Sequence, residues 1–419
     1  MITQPASCQL VSIARTAAVA TFLAGFLTSG VAQSSPAPTT SAALRASLQR
    51  DLDAYLKNRS AKEHLSSLSL TVSSRRGQPP INVTAGTTKF QGGSPVTPAS
   101  LFQVGSNTKA FTAVAILQLE AQGRLSIDTP IAKYLPQYPA YGKLTLRRLL
   151  NMTSGIDSYD NIPAWYAQYS KRPMADVSAD RLIRLVYPAI KYTPGSKYSY
   201  SNTGYLLAEK IIAARSESKS YGVEIARIVK SVGLKNTFYT SHLYPAAIAR
   251  RVVAGYYEND DPGFKLFLGK DVSGYSLSWA QAAGAIVSTP ADLSVWARAL
   301  YQGTKLLPRR QQEELLRLIS TKTAKPLAAP TAEDPAAFGL GVAKRITPKL
   351  GSFWFYQGET LGFRAAHLYF PDSDLVVSIF ANSRPMESNS KLQELFSTVY
   401  ATINHYHNNP RPRLKISLP

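Results

Sequence analysis

Ser106 and Lys109 stand three residues apart, a spacing that on a helix places both side chains on one face, one turn from each other. A serine hydroxyl is a weak nucleophile and needs an adjacent base. A lysine serves as that base only where burial disfavours its charged form. The following residues offer the burial. Ala110, Phe111, Val114, Ala115, Ile116, Leu117 and Leu119 cover most of a helical circumference, so the helix predicted from Ser106 to Gly123 is apolar nearly all round. Its amino end brings backbone N–H groups and a positive dipole to Ser106, where negative charge develops during acyl transfer. The same spacing recurs at Ser216 with Lys219 and at Ser388 with Lys391. The first of these lies in a polar, loop-like stretch, and the second precedes the last amphipathic helix as a cap or turn. Only Ser106 opens a buried helix; the alternative for it is a capping serine beside a snorkelling lysine.

Two further groups qualify by type. In Tyr200-Ser201-Asn202, a tyrosinate near a lysine takes a serine proton and later hands it to a leaving group. Asn202 has the donors and acceptor to bind both the lysine and a substrate amide. Tyr-x-Asn also occurs at Tyr159, Tyr257 and Tyr406, where it reads as chance in a chain with 23 tyrosines. Tyr356-Gln357-Gly358 ends an aromatic run, and a strand-end glycine lets a ligand approach the backbone closely. Rival chemistries lack their residues. There is no Gly-x-Ser-x-Gly, and His64, His242, His367, His405 and His407 occupy no convincing triad setting. His367 reads as structural within a strand pattern, and His405 and His407 as surface residues. No His-Glu-x-x-His spacing supports zinc.

The elements that must position these groups follow from periodicity. Leu44, Leu48, Leu52 and Leu56 predict a helix over 41–57, and the alternation at Leu68, Leu70 and Val72 predicts a strand with a partner at Ile81 and Val83. Helical patterns broken by Pro and Gly run through the middle, at 144–151, 179–187, 203–215 and 290–302. Strand patterns return at 338–344, 352–357, 363–370 and 375–381, with a hairpin loop at Pro371–Asp374, and Leu392 to Ile403 form a closing amphipathic helix. The economical α+β solution is one antiparallel sheet built from both chain ends, flanked by the terminal helices, with a mainly helical lobe inserted. The predicted boundaries are 41–100 with 335–405 for the α/β lobe, 101–334 for the helical lobe and 406–419 for a basic tail. A cleft between lobes is the usual place for a small-molecule site.

The chain of 419 residues, 45% of them apolar, is long enough for a large core. Residues 1–32 contain one charge, Arg15, an apolar run from Thr16 to Leu27, and Gly30-Val31-Ala32 as a small-x-small cleavage site. This pattern predicts a secretory signal, followed by a Ser/Pro/Thr linker over 33–40, and hence a periplasmic or secreted product without stable membrane insertion. The only cysteine, Cys8, lies in that segment, so a cysteine nucleophile is excluded from the mature chain. A formal net charge of +21 favours polyanionic surroundings such as cell-wall polymers, although the basic residues are spread out and densest late, at Arg411, Arg413 and Lys415. No nucleic-acid-binding motif accompanies the charge.

Several passages, taken together, resemble the serine β-lactamase and penicillin-binding-protein superfamily, in its class C β-lactamase, DD-peptidase and family VIII esterase branch. They are Phe102-Gln103-Val104-Gly105-Ser106-Asn107-Thr108-Lys109 with Gly123 to Pro130 after the helix; Leu149-Leu150-Asn151-Met152-Thr153-Ser154-Gly155-Ile156; Pro194-Gly195 leading into Tyr198 to Tyr205; and Ala283-Gly284-Ala285 with Ser288 to Leu293. The resemblance spans about residues 45 to 405. It implies a β-lactamase/transpeptidase-like fold and a metal-free, cofactor-free acyl-enzyme mechanism. Ser106 would be acylated, Lys109 and Tyr200 would share its proton, with the choice of base open, and Asn202 would position lysine and substrate. Tyr356-Gln357-Gly358 stands where the family has a Lys-or-His, x, Gly strand motif, and the oxyanion hole would use the N–H groups of Ser106 and Glu359. That third motif departs from the family: Tyr356 is neutral, and Glu359 repels a substrate carboxylate unless Arg364 or another cation compensates. The expectation is therefore a hydrolase for an ester, amide or D-amino-acid peptide, small-molecule or cell-wall derived, with weak β-lactamase activity. The alternative is a non-catalytic cell-wall or ligand-binding protein on the same fold.

Overall fold

The computed structural model describes residues 40–74, 78–261, 263–303 and 305–408. The predicted signal segment, nearly all of the linker, and Arg411, Arg413 and Lys415 lie outside the described residues. The first helix, α1 (Thr40–Glu63), extends beyond the predicted 41–57 and buries Leu44, Leu48 and Leu52. A nine-stranded sheet follows from both ends of the chain. Its strands are β1 (Ser67–Ser74), β2 (Ile81–Lys89), β3 (Gly92–Pro95), β4 (Ile319–Ser320), β5 (Ala336–Phe338), β6 (Ala343–Thr347), β7 (Gly351–Glu359), β8 (Arg364–Phe370) and β9 (Leu375–Ala381). Their order in space is β3-β2-β1-β9-β8-β7-β6-β5-β4, and every pair is antiparallel. The first strand of the chain thus pairs with the last of the sheet, Leu70 opposite Ile379.

Two faces of this sheet are covered. On one, α1 and the closing helix Leu392–Asn408 share a core with Leu68, Leu70, Leu368, Val377, Val399 and Ile403. The other face meets the inserted region, mainly helical as predicted. Trp296 of the helix Pro290–Gln302 is fully buried there, stacked on Phe111 with ring centroids 3.7 Å apart. Two differences from the sequence expectation are structural. The run 338–344 is two strands with a turn between them, because Gly341 adopts a left-handed φ of 72° where a Cβ would lie 2.8 Å from the Lys109 carbonyl oxygen. The sheet also takes its edge strand β4 from within the range assigned to the helical lobe, at Ile319–Ser320. Among the described residues no helix is long and apolar enough to cross a membrane.

Candidate active site

Ser106 lies in a 3₁₀ turn, Gly105–Asn107, that runs directly into α2 (Thr108–Ala121). Ahead of the turn, Phe102 and Gln103 pair antiparallel with Ser288 and Val287, and the Val104 N–H donates to the Ile286 carbonyl at 3.0 Å. The turn closes on the end of β7, and two glycines make the approach possible. Gly105 has a φ of 50°, and a Cβ on it would stand 2.6 Å from the Glu359 nitrogen. A Cβ on Gly358 would stand 1.9 Å from the Val104 oxygen and 2.6 Å from the Ser106 nitrogen. The Ser106 and Glu359 backbone nitrogens are thereby brought to the same junction.

The helix after the turn is buried on nearly every side, from Thr108 through Leu117. Lys109 is fully enclosed with it. Its Nζ donates to Ser106 Oγ at 3.0 Å and to the Ala283 carbonyl at 2.7 Å, and lies 4.8 and 5.3 Å from the ring centroids of Tyr200 and Tyr205. Burial without a paired carboxylate lowers the amine from 10.5 to about 7, while the negative charge of Asp160 pulls in the opposite sense. Near neutral pH a substantial fraction is therefore the free base.

Tyr200 approaches from the inserted region, and its hydroxyl donates to Ser106 Oγ at 2.6 Å. The segment carrying it is tied down by the Leu149–Ile156 stretch: the Ser199 N–H bonds the Met152 carbonyl at 2.9 Å and the Gly195 N–H that of Thr153 at 2.8 Å. Although 38% of the residue is exposed, its hydroxyl is crowded by neighbours, and this burial raises its pKa despite the opposing hydrogen bond to Ser106. The amine and the phenol are thus pushed toward their neutral forms. That pairing suits a base and an acid flanking one hydroxyl.

Asn202 lies beside this pair without bonding the lysine. Its Nδ2 donates to Asp160 Oδ2 at 2.8 Å, and its Oδ1 is enclosed and has no donor. Ser106, Tyr200, Asn202, Gln357 and Glu359 line a common cavity of about 350 Å³. Gly358 forms the junction behind Ser106. Tyr356 is buried instead, near Phe338 and in the wall of a second cavity of about 290 Å³, with its hydroxyl toward Tyr200 but outside hydrogen-bond geometry. The cation opposite Glu359 is not Arg364. That guanidinium is buried with Glu63 at 2.6 Å and bonds the Ser383 carbonyl and Ser390, so it is committed to the core. Arg384 stands near Glu359 at 3.4 Å and also pairs with Asp261, carried there by a short parallel pairing of Ser383–Pro385 with Tyr256–Glu258.

The competing motifs do not assemble. Lys219 Nζ donates to the Ala214 carbonyl at 3.3 Å, and Lys391 pairs with Glu394 at 3.2 Å. His64 and His242 bond Glu258 and Asp176, each at 2.7 Å, and His405 is exposed. His367 is buried and structural, yet it reaches the site. Asn107 Nδ2 donates to the carbonyls of Val104 and Ala365, so Asn107 Oδ1 must accept from His367 Nδ1 at 2.9 Å. His367 Nε2 then accepts from the Tyr301 hydroxyl at 3.0 Å, and desolvation holds the imidazole neutral down to about 3. Sequence reasoning also missed the Tyr159 passage. Tyr159 and Asp160 line the cavity, and the Tyr159 N–H bonds Thr203 Oγ1 at 2.9 Å, next to Asn202. The signal was the Tyr-x-Asn match that reads as chance.

Known proteins resemble this chain over most of its length. The β-lactamase family model matches residues 52–398. A putative penicillin-binding protein, PbpX, of Bacillus subtilis is 27% identical over 314 residues, covering 73% of this chain and 68% of the relative. Penicillin-binding protein 4* of the same organism is 30% identical over 218 residues, half of this chain and 46% of that protein. Among solved structures, a D-stereospecific amidohydrolase from a Streptomyces species has a TM-score of 0.70 at 26% identity, covering 85% of this chain and 98% of its own. The D-amino acid amidase of Ochrobactrum anthropi SV3, complexed with D-phenylalanine, shares the fold with a TM-score of 0.72 at 23% identity, covering 87% of this chain and 99% of its own. The chain belongs to the β-lactamase family, with the α+β fold of the serine β-lactamases and penicillin-binding proteins.

Proposed function

We propose that the protein is an exported serine hydrolase that cleaves an amide, ester or D-amino-acid peptide through an acyl-enzyme on Ser106. One observation carries the reading: Ser106 Oγ receives hydrogen bonds from both Lys109 Nζ and the Tyr200 hydroxyl, beside the cavity. In acylation, Ser106 Oγ attacks the substrate carbonyl carbon and its proton passes to the free-base Lys109. The developing oxyanion is held by the N–H groups of Ser106 and Glu359, a type of contact whose loss costs about 2.7–4 kcal/mol in the transition state. Tyr200 gives its proton to the leaving amine or alkoxide as the C–N or C–O bond breaks, and Lys109 returns the proton it took to the tyrosinate. Water then attacks the acyl carbon, losing its proton to the same base, and Ser106 regains its hydrogen as the acid product leaves. The opposed pKa directions favour Lys109 as base and Tyr200 as acid. Glu359 beside Gln357 and Arg384 presents no free cation to a substrate carboxylate, which supports weak β-lactamase activity. The apolar run and cleavage pattern in residues 1–32 support export.

The test is intact mass after exposure to a fluorophosphonate and, separately, to benzylpenicillin, with Ser106→Ala alongside. The expected result is fluorophosphonate labelling of the wild type only, with little or no penicilloyl adduct. Labelling that persists in Ser106→Ala, or no labelling of either protein, overturns the assignment.

A further inference from the structure

The nine-stranded sheet carries a groove on the face away from the inserted region. Along β7 the side chains alternate between faces. Trp354 and Tyr356 pack toward the inserted region, and Phe353 packs under the closing helix with Leu368 and Phe396. β6 alternates in step: Lys344 Nζ lies 5.3 Å from the ring centroid of Trp354 on one face, and Arg345 Cζ lies 5.0 Å from that of Phe355 on the other. On this second face a groove of about 710 Å³ runs between β6, β7 and the closing helix. Its floor is apolar, formed by Leu350, Phe353, Phe355, Leu368 and Phe396, and Leu350 and Phe355 are only partly buried. The ring centroids of Phe353 and Phe355 are 5.8 Å apart, and Phe353 continues to Phe370 at 5.6 Å. Such a size and lining suit a small molecule with a long apolar part.

The rim sets the charge of that molecule. Arg345 and Lys349 line the groove, and among the described residues no carboxylate pairs with either. Glu394, the acid in the lining, is taken by Lys391 at 3.2 Å. A guanidinium stacked on an aromatic ring keeps its edge N–H donors free for a carboxylate. The chain itself offers covers of the wrong sign. Residues 409–419 carry Arg411, Arg413 and Lys415, and a second copy brings the same basic rim on a chain of net charge +21. We propose that this groove binds a long-chain carboxylate, with its hydrocarbon chain on Leu350, Phe353 and Leu368 and its head group on Arg345. Gln357 is common to the lining of the groove and of the cavity beside Ser106, so the site backs onto the catalytic junction without containing Ser106.

The test is calorimetric titration of the protein with decanoate, below micelle formation. The comparisons are hexanoate, with a shorter chain, and decyltrimethylammonium, with the same chain and the opposite charge. Decanoate is expected to bind one per chain, about tenfold or more tighter than either, which is about 1.4 kcal/mol. Arg345→Glu inverts the head-group preference. If circular dichroism shows that it does not fold, Arg345→Gln replaces it and brings the preference for decanoate below about threefold. Leu350→Ser, in the lining of the groove and of neither other cavity, weakens decanoate more than hexanoate. No binding, equal affinities, several equivalents per chain, or a preference untouched by substitution at Arg345 overturns the proposal. So does a dimer in sedimentation that Arg345→Glu dissociates, because a second copy then holds this face.

Discussion

Replacing Lys109 with methionine should make the protein inactive and, at acid to neutral pH, more stable. The amine sits near 7 in the fold against 10.5 in the open chain. At about 1.36 kcal/mol for each pKa unit, holding it there costs the native state roughly 5 kcal/mol below pH 7. The sign follows from proton counting: between about 7 and 10.5 the unfolded chain binds the proton that the native state has released, so wild-type stability rises with pH across that window. Methionine fills the path of the lysine stem without a charge. It loses the bond to the Ala283 carbonyl, which costs about 1–3 kcal/mol if that oxygen stays unpaired. The net gain at pH 6 is then on the order of 2–4 kcal/mol, and about 3 kcal/mol of the difference between variant and wild type should vanish by pH 9.5. Urea unfolding of both proteins at the two pH values reads this directly, and other groups cancel in the comparison. A stability difference that stays constant from pH 6 to 9.5 would refute the claim that burial has displaced this amine. Fluorophosphonate labelling of the variant should be lost at both.

Tyr200→Phe removes the 2.6 Å bond to Ser106, and kcat should fall by roughly 10²–10⁴, read with an amide whose leaving group needs a proton. An aryl ester with a good leaving group should lose less. Gly358→Ala drives a methyl into the Val104 carbonyl and the Ser106 nitrogen; labelling should slow by about 10²-fold or more, with a loss of about 1–3 kcal/mol in urea. His367→Leu leaves the Tyr301 hydroxyl and Asn107 Oδ1 unpaired, at about 1–3 kcal/mol each at pH 7. Because burial holds His367 neutral down to about 3, the wild type should lose stability as pH falls from 6.5 toward 3, and the variant should lack that part of the acid slope.

The parts legible in the sequence were those governed by local period. Leu44, Leu48 and Leu52 of α1 fell at spacing four and are buried, with Leu56 partly so, and β1, β8 and β9 coincide with apolar alternation or runs. Ser106, Lys109 and Tyr200 were singled out by type and setting, and the fold brings their polar atoms together. The omissions have a common cause, which is long-range placement. Leu340 and Val342 read as strand residues because they are apolar, yet they are buried in the turn that passes below Lys109. Arg364 is five residues from Glu359 in sequence, but Glu63 at the far end of the chain binds its guanidinium. Arg384 reaches Glu359 only through the pairing of Ser383–Pro385 with Tyr256–Glu258. Asp160 sits inside a Tyr-x-Asn match that recurs elsewhere in the chain, and only the folding of its turn against Asn202 brings it to the cavity.

The pairing of β1 with β9 has a consequence for how the molecule comes into being. Residues near 70 wait for residues near 380 before the centre of the sheet closes, and the strand carrying Gly358 joins the Ser106 turn through that same sheet. Contacts of such sequence separation form slowly, because the intervening loop must first be gathered. The emerging chain therefore carries its serine and lysine long before they share a junction with Glu359. A ribosome stalled anywhere before β9 would hold an inert polypeptide with β1 as an open edge, prone to pair with whatever strand it meets. The junction beside Ser106 is therefore complete only after β9 has been made.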